Sequence, residues 1–400
     1  MKKLKIAFYT DDYPPITAGT TSYVMDMRRE LERRGHEVFI ITAGDRKTEE
    51  FAKNDPHVIV LKGPKFIDRK HVVALDVVSL MKALNGRRFD VVHSHSPFLM
   101  GFLAFLTSKI TGSKFVSTFH TYMFHRRALS KYVGYVLPFL SSNRVFLKIS
   151  KAFMVGYLRA YYFLSDKVIA PSRFTRRLLK RNGIGNTQVV KTGIRVKGSL
   201  NLSKAQARAH IGLAKTDRIL LFLGRIDEEK NIDFLLNSAK RLGENGFKII
   251  IAGSGHKLKD YRKMSESMGL ANVYFPGFIK EKDKKYYYRA ADVFCNPSTF
   301  DTTSISTLEA MSFNVPILAP KTGAQAEFVK AGPSGETFET SDVSDFVSKA
   351  VKVVENRRAY RPREVAKMYS LSRSADELLS LYKSLLLKKA HSFGLWGATR

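Results

Sequence analysis

Short apolar runs rich in β-branched and aromatic residues alternate along this chain with stretches in which apolar positions recur every three or four residues. A strand covered by helices on both faces reads as a continuous apolar run, and a helix lying on a sheet reads as a stripe. The alternation therefore predicts α/β architecture with parallel, doubly wound sheets. Strands are predicted over Lys5–Tyr9, Glu37–Thr42, Val58–Leu61, Val91–His93, Phe115–Thr118 and Lys167–Ala170. A second series follows over Ile219–Leu223, Lys248–Ala252, Val273–Phe275, Val293–Asn296 and Pro316–Ala319. Helices are predicted over Thr20–Arg34, Arg173–Arg181, Ile232–Leu242 and Val343–Glu355, with Gly35, Gly183 and Gly243 placed to stop the first three in left-handed caps. The seam falls near Gly193–Ser203, giving one domain over 1–195, a second over 203–370, and a returning helix over 371–390 that crosses back onto the first. Residues 390–400 are expected to fray.

Length agrees with two domains, since 400 residues exceed what one ordinary core organises. The apolar stretch after Lys5 is too short for a signal-peptide core, and the region Tyr132–Leu164 is interrupted by Arg144, Lys148, Lys151 and Arg159. No run reaches the roughly 18 apolar residues of a spanning helix. One cysteine, Cys295, excludes a disulfide framework and any cysteine-based zinc site.

Charge changes the reading more than length does. The chain carries 67 Lys and Arg against 36 Asp and Glu, a formal charge of +31, so an anionic partner or surface is expected. The excess is uneven: residues 101–200 hold 18 basic residues and one acid, Asp166. Between Phe98 and Phe163 the chain interleaves aromatics such as Phe102, Phe119, Tyr122, Phe146, Phe153 and Tyr157 with nine Lys and Arg. Helices of that composition lie in a lipid interface, with rings at the acyl boundary and cations among anionic headgroups. The other role for these aromatics is in the core, with cations that merely solubilise.

Ligands of open α/β sheets bind beyond the carboxyl ends of the strands, so the segments that follow strands carry the candidate chemistry. After the first strand, TDDYPPITAGTTSY places Gly19 before a helix, where free amides could meet an anion or where the chain simply turns. After the strand at 219–223, GRIDEEKN sets Arg225 and Lys230 five residues apart, a fork and a point charge suited to a diphosphate. A solvated loop in which Asp227, Glu228 and Glu229 pair with those cations is the other reading. In NPSTFDTTSISTLEAMSFNVPILAP the carboxylates Asp301 and Glu309 stand eight apart around a helix start at Ser304. They could hold a polyol at two points, or serve as a helix cap and a surface charge.

These pieces in this order resemble retaining glycosyltransferases of family 4, over roughly residues 3–385. The likeness rests on the loop at Gly19, HSHSP at 93–97, TFHT at 118–121, SDKVIAPS at 165–172, GRxxxxK at 224–230, AGSG at 252–255, and a D-x7-E element matching the family's E-x7-E. The resemblance implies the GT-B fold, two Rossmann-like domains facing across a cleft with a nucleotide sugar such as UDP-glucose as donor. It implies that Arg225 and Lys230 neutralise the diphosphate with support from amides at Gly19. Glu309 would bind the ribose, Asp301 with Thr303, Ser304 and Ile305 would contact the donor, and His120 would lie beside the reacting centre. No metal or other cofactor is expected, and front-face attack would pass the acceptor's proton to the leaving phosphate. Two departures stand out: Asp301 where the family usually has Glu, and Ser304 where it has Gly. TFHT within a basic first domain is similar to the monoglycosyldiacylglycerol synthases and phosphatidylinositol mannosyltransferases. That likeness implies a lipid acceptor, attachment to anionic lipids through Arg126, Arg127, Lys131, Arg144, Lys148, Lys151 and Arg159, and a place on the cytoplasmic face of the cell membrane. Transfer to a saccharide or polyprenyl-linked acceptor is the alternative among enzymes. A basic nucleic-acid-binding protein is the alternative outside them, and it lacks any RNP-type, helix-turn-helix or zinc signature here. A noncatalytic member is the third.

Overall fold

A computed structural model of the chain describes residues 3–16, 19–65, 72–74, 76–123, 129–130, 133, 143–196 and 201–394. Two compact units emerge, one formed by residues up to Gly193 together with the segment from Leu371 onward, the other by Ile194–Ser370.

Unit 1 is built on a seven-stranded parallel sheet. Its strands are β1 (Lys5–Thr10), β2 (Glu37–Ala43), β3 (Val58–Leu61), β4 (Val91–Ser94), β5 (Lys114–Thr118), β6 (Lys167–Ala170) and β7 (Thr187–Val189), in the order β3-β2-β1-β4-β5-β6-β7. β1 is central, its Ile6 facing Val38 on one side and Val91 on the other. It is buried from Ile6 onward, and Ile6, Ala7, Phe8 and Tyr9 are all inaccessible. The helices that bear on function are α1 (Gly19–Arg33), α2 (Leu99–Thr111), α3 (Arg144–Phe163) and α4 (Arg173–Arg181). Helix α2 escapes the sequence pattern because it is apolar nearly all round, with Leu103 and Ala104 inside and Phe102 and Ile110 outside.

Unit 2 has a six-stranded parallel sheet. Its strands β8 (Arg218–Leu223), β9 (Phe247–Ala252), β10 (Val273–Gly277), β11 (Val293–Cys295), β12 (Ile317–Pro320) and β13 (Gly335–Phe338) run in the order β10-β9-β8-β11-β12-β13. Around it pack α5 (Ile232–Glu244), α6 (Lys284–Ala290), α7 (Ile305–Ser312) and α8 (Val343–Glu355), among others. One predicted cap moves: α5 runs through Gly243 and the left-handed residue is Gly246, at φ 76°. Gly243 serves packing instead, since a Cβ there would stand 2.9 Å from the Asn272 amide nitrogen.

The last helix, α9 (Leu371–Gly394), belongs to unit 1. Leu371, Ala375, Leu378, Tyr382 and Leu385 recur every three or four residues and are buried, each leucine contributing about 1.5–3 kcal/mol of transfer free energy. Polar contacts fix its register: Arg34 donates to Asp376 at 2.5 Å and to the Ser372 carbonyl at 2.8 Å, and Ser374 donates to the Lys191 carbonyl at 2.6 Å. The helix extends past the expected fraying point to Gly394, and residues 395–400 lie outside the described ones. Among the described residues no helix is long and apolar enough to cross a membrane.

Candidate functional site

Strand order singles out one place in each sheet. In unit 2 the chain leaves β8 toward β9 and returns on its other side as β11, so the loops after β8 and β11 diverge and leave room beyond the strand ends. GRIDEEK follows β8 and NPSTFD follows β11, and the two are tied together: Lys230 Nζ lies 2.5 Å from Asp301 Oδ1. Asn296 donates to the other Asp301 oxygen at 2.6 Å and to Ser304 Oγ at 3.0 Å. Asp301 is thus the hub of the loop after β11. It does not cap the following helix, whose N-cap is Ser304 with no side-chain cap bond. Both members of the ion pair are largely buried, 15% and 13% exposed, so each depends on the other or on a ligand for compensation.

Arg225 and Lys230 take different carboxylates. Arg225 is held by Asp227 at 2.6 Å and by Glu229, the pairing within the loop that the sequence left as the other reading. Asp227 is almost fully buried and also accepts from His256 Nδ1 at 2.7 Å, which fastens the loop after β8 to the loop after β9. AGSG makes this approach possible. A Cβ at Gly253, where φ is +140°, would fall 1.8 Å from the Gly224 carbonyl oxygen, so only glycine fits.

Glu309 emerges from the second turn of α7 and takes different partners. Buried Tyr288 on α6 donates to it at 2.7 Å, and Lys284 Nζ stands 3.7 Å away. Burial beside that carboxylate pushes the Tyr288 hydroxyl well above its ordinary range, so it is a fixed donor. Neither Tyr288 nor Lys284 was legible beforehand; the only signal was their own spacing of four on one helix face. Thr303 and Ser304 precede α7, and Ile305 opens it.

In unit 1 the switch point lies between β1 and β4. The loop after β1 is described up to Ile16 and again from Gly19, where α1 begins; Thr17 and Ala18 lie outside the described residues. HSHSP spans the end of β4, TFHT spans the end of β5, and together they assemble three imidazoles. His93 and His95 lie 4.2 Å apart between ring centroids, tilted by 32°, and His95 Nδ1 lies 2.9 Å from His120 Nε2. Phe8 and Tyr23 present ring edges to this group. Burial pulls His93 down to about 3, His120 to about 4 and His95 well below its usual value, so all three are neutral at pH 7. His93 and His95 belong to a motif that the sequence identified, yet only His120 was assigned a role.

The cationic set divides. Arg126, Arg127 and Lys131 lie outside the described residues. Arg144, Lys148 and Lys151 are exposed on α3. Arg159 is committed differently, its Nε donating to the Asn182 carbonyl at 2.6 Å at the end of α4, where it satisfies an open helix terminus. The aromatics divide too. Phe119, Tyr161 and Tyr162 are core residues, whereas Phe153 is 75% and Phe163 89% exposed.

Comparison with known sequences gives two matches that together span most of the chain: "Glycosyltransferase Family 4" over residues 17–197 and "Glycosyl transferases group 1" over residues 203–369. An α-monoglucosyldiacylglycerol synthase of Streptococcus pneumoniae is 26% identical over 336 residues, 79% of this chain and 71% of that protein. A GDP-mannose-dependent α-mannosyltransferase of Mycobacterium tuberculosis is 24% identical over 391 residues, 96% and 97% of the two chains. Among solved structures, Anabaena Alr3699/HepE in complex with UDP-glucose superposes with a TM-score of 0.72 at 17% identity, covering 95% of this chain and all of that one. The architecture of both units is accordingly that of the GT-B glycosyltransferases.

Proposed function

The chain belongs to the family 4 glycosyltransferases, and from that premise we propose that it is a peripheral membrane enzyme moving a hexose, glucose in preference to mannose, from a nucleotide sugar to a lipid hydroxyl such as that of diacylglycerol. One observation carries the lipid reading. On α3, Val145, Ile149, Phe153 and Tyr157 are exposed at intervals of four, and beside the same sheet the segment Phe98, Phe102, Leu106 and Ile110 repeats that spacing along α2. Tyr157 reaches the Pro97 carbonyl, which ties the two helices together. Right-handed crossovers from β4 to β5 and from β5 to β6 put both helices on one face of the sheet. Two apolar stripes flanked by Lys109, Arg144, Lys148 and Lys151, with no acid on either helix, suit a bilayer bearing anionic headgroups. Each cation near such a surface contributes on the order of 1 kcal/mol. A relative named as a lipid glucosyltransferase agrees with this reading.

The donor reading rests on Lys230. A diphosphate arriving at the switch point of unit 2 would find a desolvated ammonium held by a single carboxylate, with Arg225 able to exchange Glu229 for phosphate oxygen. The charge that grows on the leaving group is what these cations and the amides at Thr303–Ile305 stabilise, an electrostatic contribution made chiefly in the transition state. We assign a retaining course without metal: the bond from anomeric carbon to phosphate oxygen breaks, the acceptor oxygen bonds on the same face, and its proton passes to the departing phosphate. Glu309, oriented by Tyr288, holds the ribose.

The test is to incubate the protein with labelled UDP-glucose or GDP-mannose and vesicles containing diacylglycerol, with and without anionic lipid. Glucosyl-diacylglycerol of α configuration, formed faster on anionic vesicles, is expected. Transfer only to a soluble saccharide, or DNA retention at physiological salt with no lipid binding, would overturn the lipid reading.

A further inference from the structure

The three clustered histidines, His93, His95 and His120, are not equivalent. His93 is satisfied at both nitrogens, with Nδ1 2.6 Å from the Tyr382 hydroxyl and Nε2 2.6 Å from Thr118 Oγ1. His95 is satisfied at one. Its Nδ1 meets His120 Nε2 at 2.9 Å, while its Nε2 is buried with no hydrogen-bond partner among the described residues. The ring is 5% exposed and enclosed by His93 and the edges of Phe8 and Tyr23. An aliphatic side chain would fill that space without orphaning a nitrogen.

Counting hydrogens then fixes both tautomers. Two neutral rings share one hydrogen between His95 Nδ1 and His120 Nε2. Were His120 the donor, the proton of His95 would sit on its buried Nε2 and face no acceptor. With His95 as donor, only a bare lone pair is orphaned, and buried unpaired N–H groups are the rarer of the two situations. His95 therefore donates through Nδ1, His120 accepts at Nε2, and His120 carries its own hydrogen on Nδ1. Burial keeps both rings neutral, so the arrangement persists across physiological pH.

We propose that His95 is a positioning residue that fixes the tautomer and ring orientation of His120, so that His120 acts as a neutral hydrogen-bond donor through Nδ1 and not as a base through Nε2. This rests on the reading above that places His120 beside the reacting centre.

The experiment combines a double-mutant cycle with a tautomer measurement on the full chain. Long-range proton–nitrogen NMR of histidine-labelled protein should show Nδ1 of His120 protonated and Nε2 bare; the opposite tautomer would overturn the proposal. Kinetically, His120→Ala should lower kcat about 100-fold or more. His95→Gln, which lacks a donor at the Nδ1 position, should lower kcat about 10- to 100-fold with donor KM changed less than about threefold. His95→Asn, whose amide replaces that donor, should recover most of the loss. In the His120→Ala background, His95→Gln should cost less than about twofold, because nothing remains to position. A slow His120→Ala with His95→Gln near wild-type speed, or with losses that multiply, would sink the role of His95 alone. A His120→Ala enzyme at full speed would sink the placement of His120 and this inference with it.

Discussion

At its switch point each sheet ties two loops together, but with opposite chemistry. Unit 2 uses charge: Lys230 on Asp301, and Arg225 shared by Asp227 and Glu229. Unit 1 uses neutral rings, His93, His95 and His120, beside a contact between Asp11 and Ser96. The difference lies in what can be re-partnered. A carboxylate that neutralises a cation can be exchanged for a phosphate, so the charged cluster is an occupied socket for an anion. A desolvated set of neutral imidazoles offers no such exchange and can only present fixed donors and acceptors. One topology thus supports an adjustable electrostatic site and a fixed neutral one.

That contrast can be broken in order of expected effect. Lys230→Met should reduce turnover about 1,000-fold, in line with the loss of a group that stabilises developing charge, and should destabilise the fold by leaving Asp301 buried without its cation. Adding Asp301→Asn should restore most of the stability, measured by urea unfolding, and none of the activity; recovery of turnover in the double variant would contradict the role of Lys230. For the neutral cluster the proton balance gives the sign. His93 titrates near 3 when folded and near 6.5 when unfolded, so its stabilisation is complete above pH 6.5 and drains away as pH falls. Between pH 6 and pH 4 this amounts to roughly 1 kcal/mol per pH unit, and His93→Gln should flatten the unfolding curve over that range. Identical slopes would show that the ring is not desolvated.

Smaller effects sharpen the comparison. Tyr288→Phe should raise donor KM about three- to tenfold by releasing one oxygen of Glu309, and Glu309→Gln more strongly, both read by initial-rate kinetics. Lys148→Ala and Lys151→Ala on α3 should each weaken partitioning onto anionic vesicles about fivefold in flotation assays, with turnover on detergent-dispersed acceptor unchanged.

Much of this architecture is legible from the chain itself, because β1, β2, β8 and β9 are long apolar runs buried on both faces. The edge strands β7 and β13, reading TQV and GETF, are not. Both are short and half polar, unlike the apolar edge strand β3 (VIVL), and nothing in their composition separates them from a loop. The motifs likewise mark which loops carry chemistry without revealing their pairings. Lys230 meets Asp301 across 71 positions, and Glu309 meets Tyr288 on another helix. Such partners are set by strand order, which local pattern does not encode. Asp301, Ser298 and Asn296 form a polar hub where helix-cap statistics alone suggest a cap.

The return of α9 to unit 1 bears on the order of assembly at the ribosome. Tyr382, which satisfies His93, and the leucines that close the hydrophobic interior are synthesised some 290 positions after the histidine they cover. While the second unit is being translated, the first must wait with an open seam and an imidazole lacking its Nδ1 partner, and its maturation is tied to the final stretch of translation.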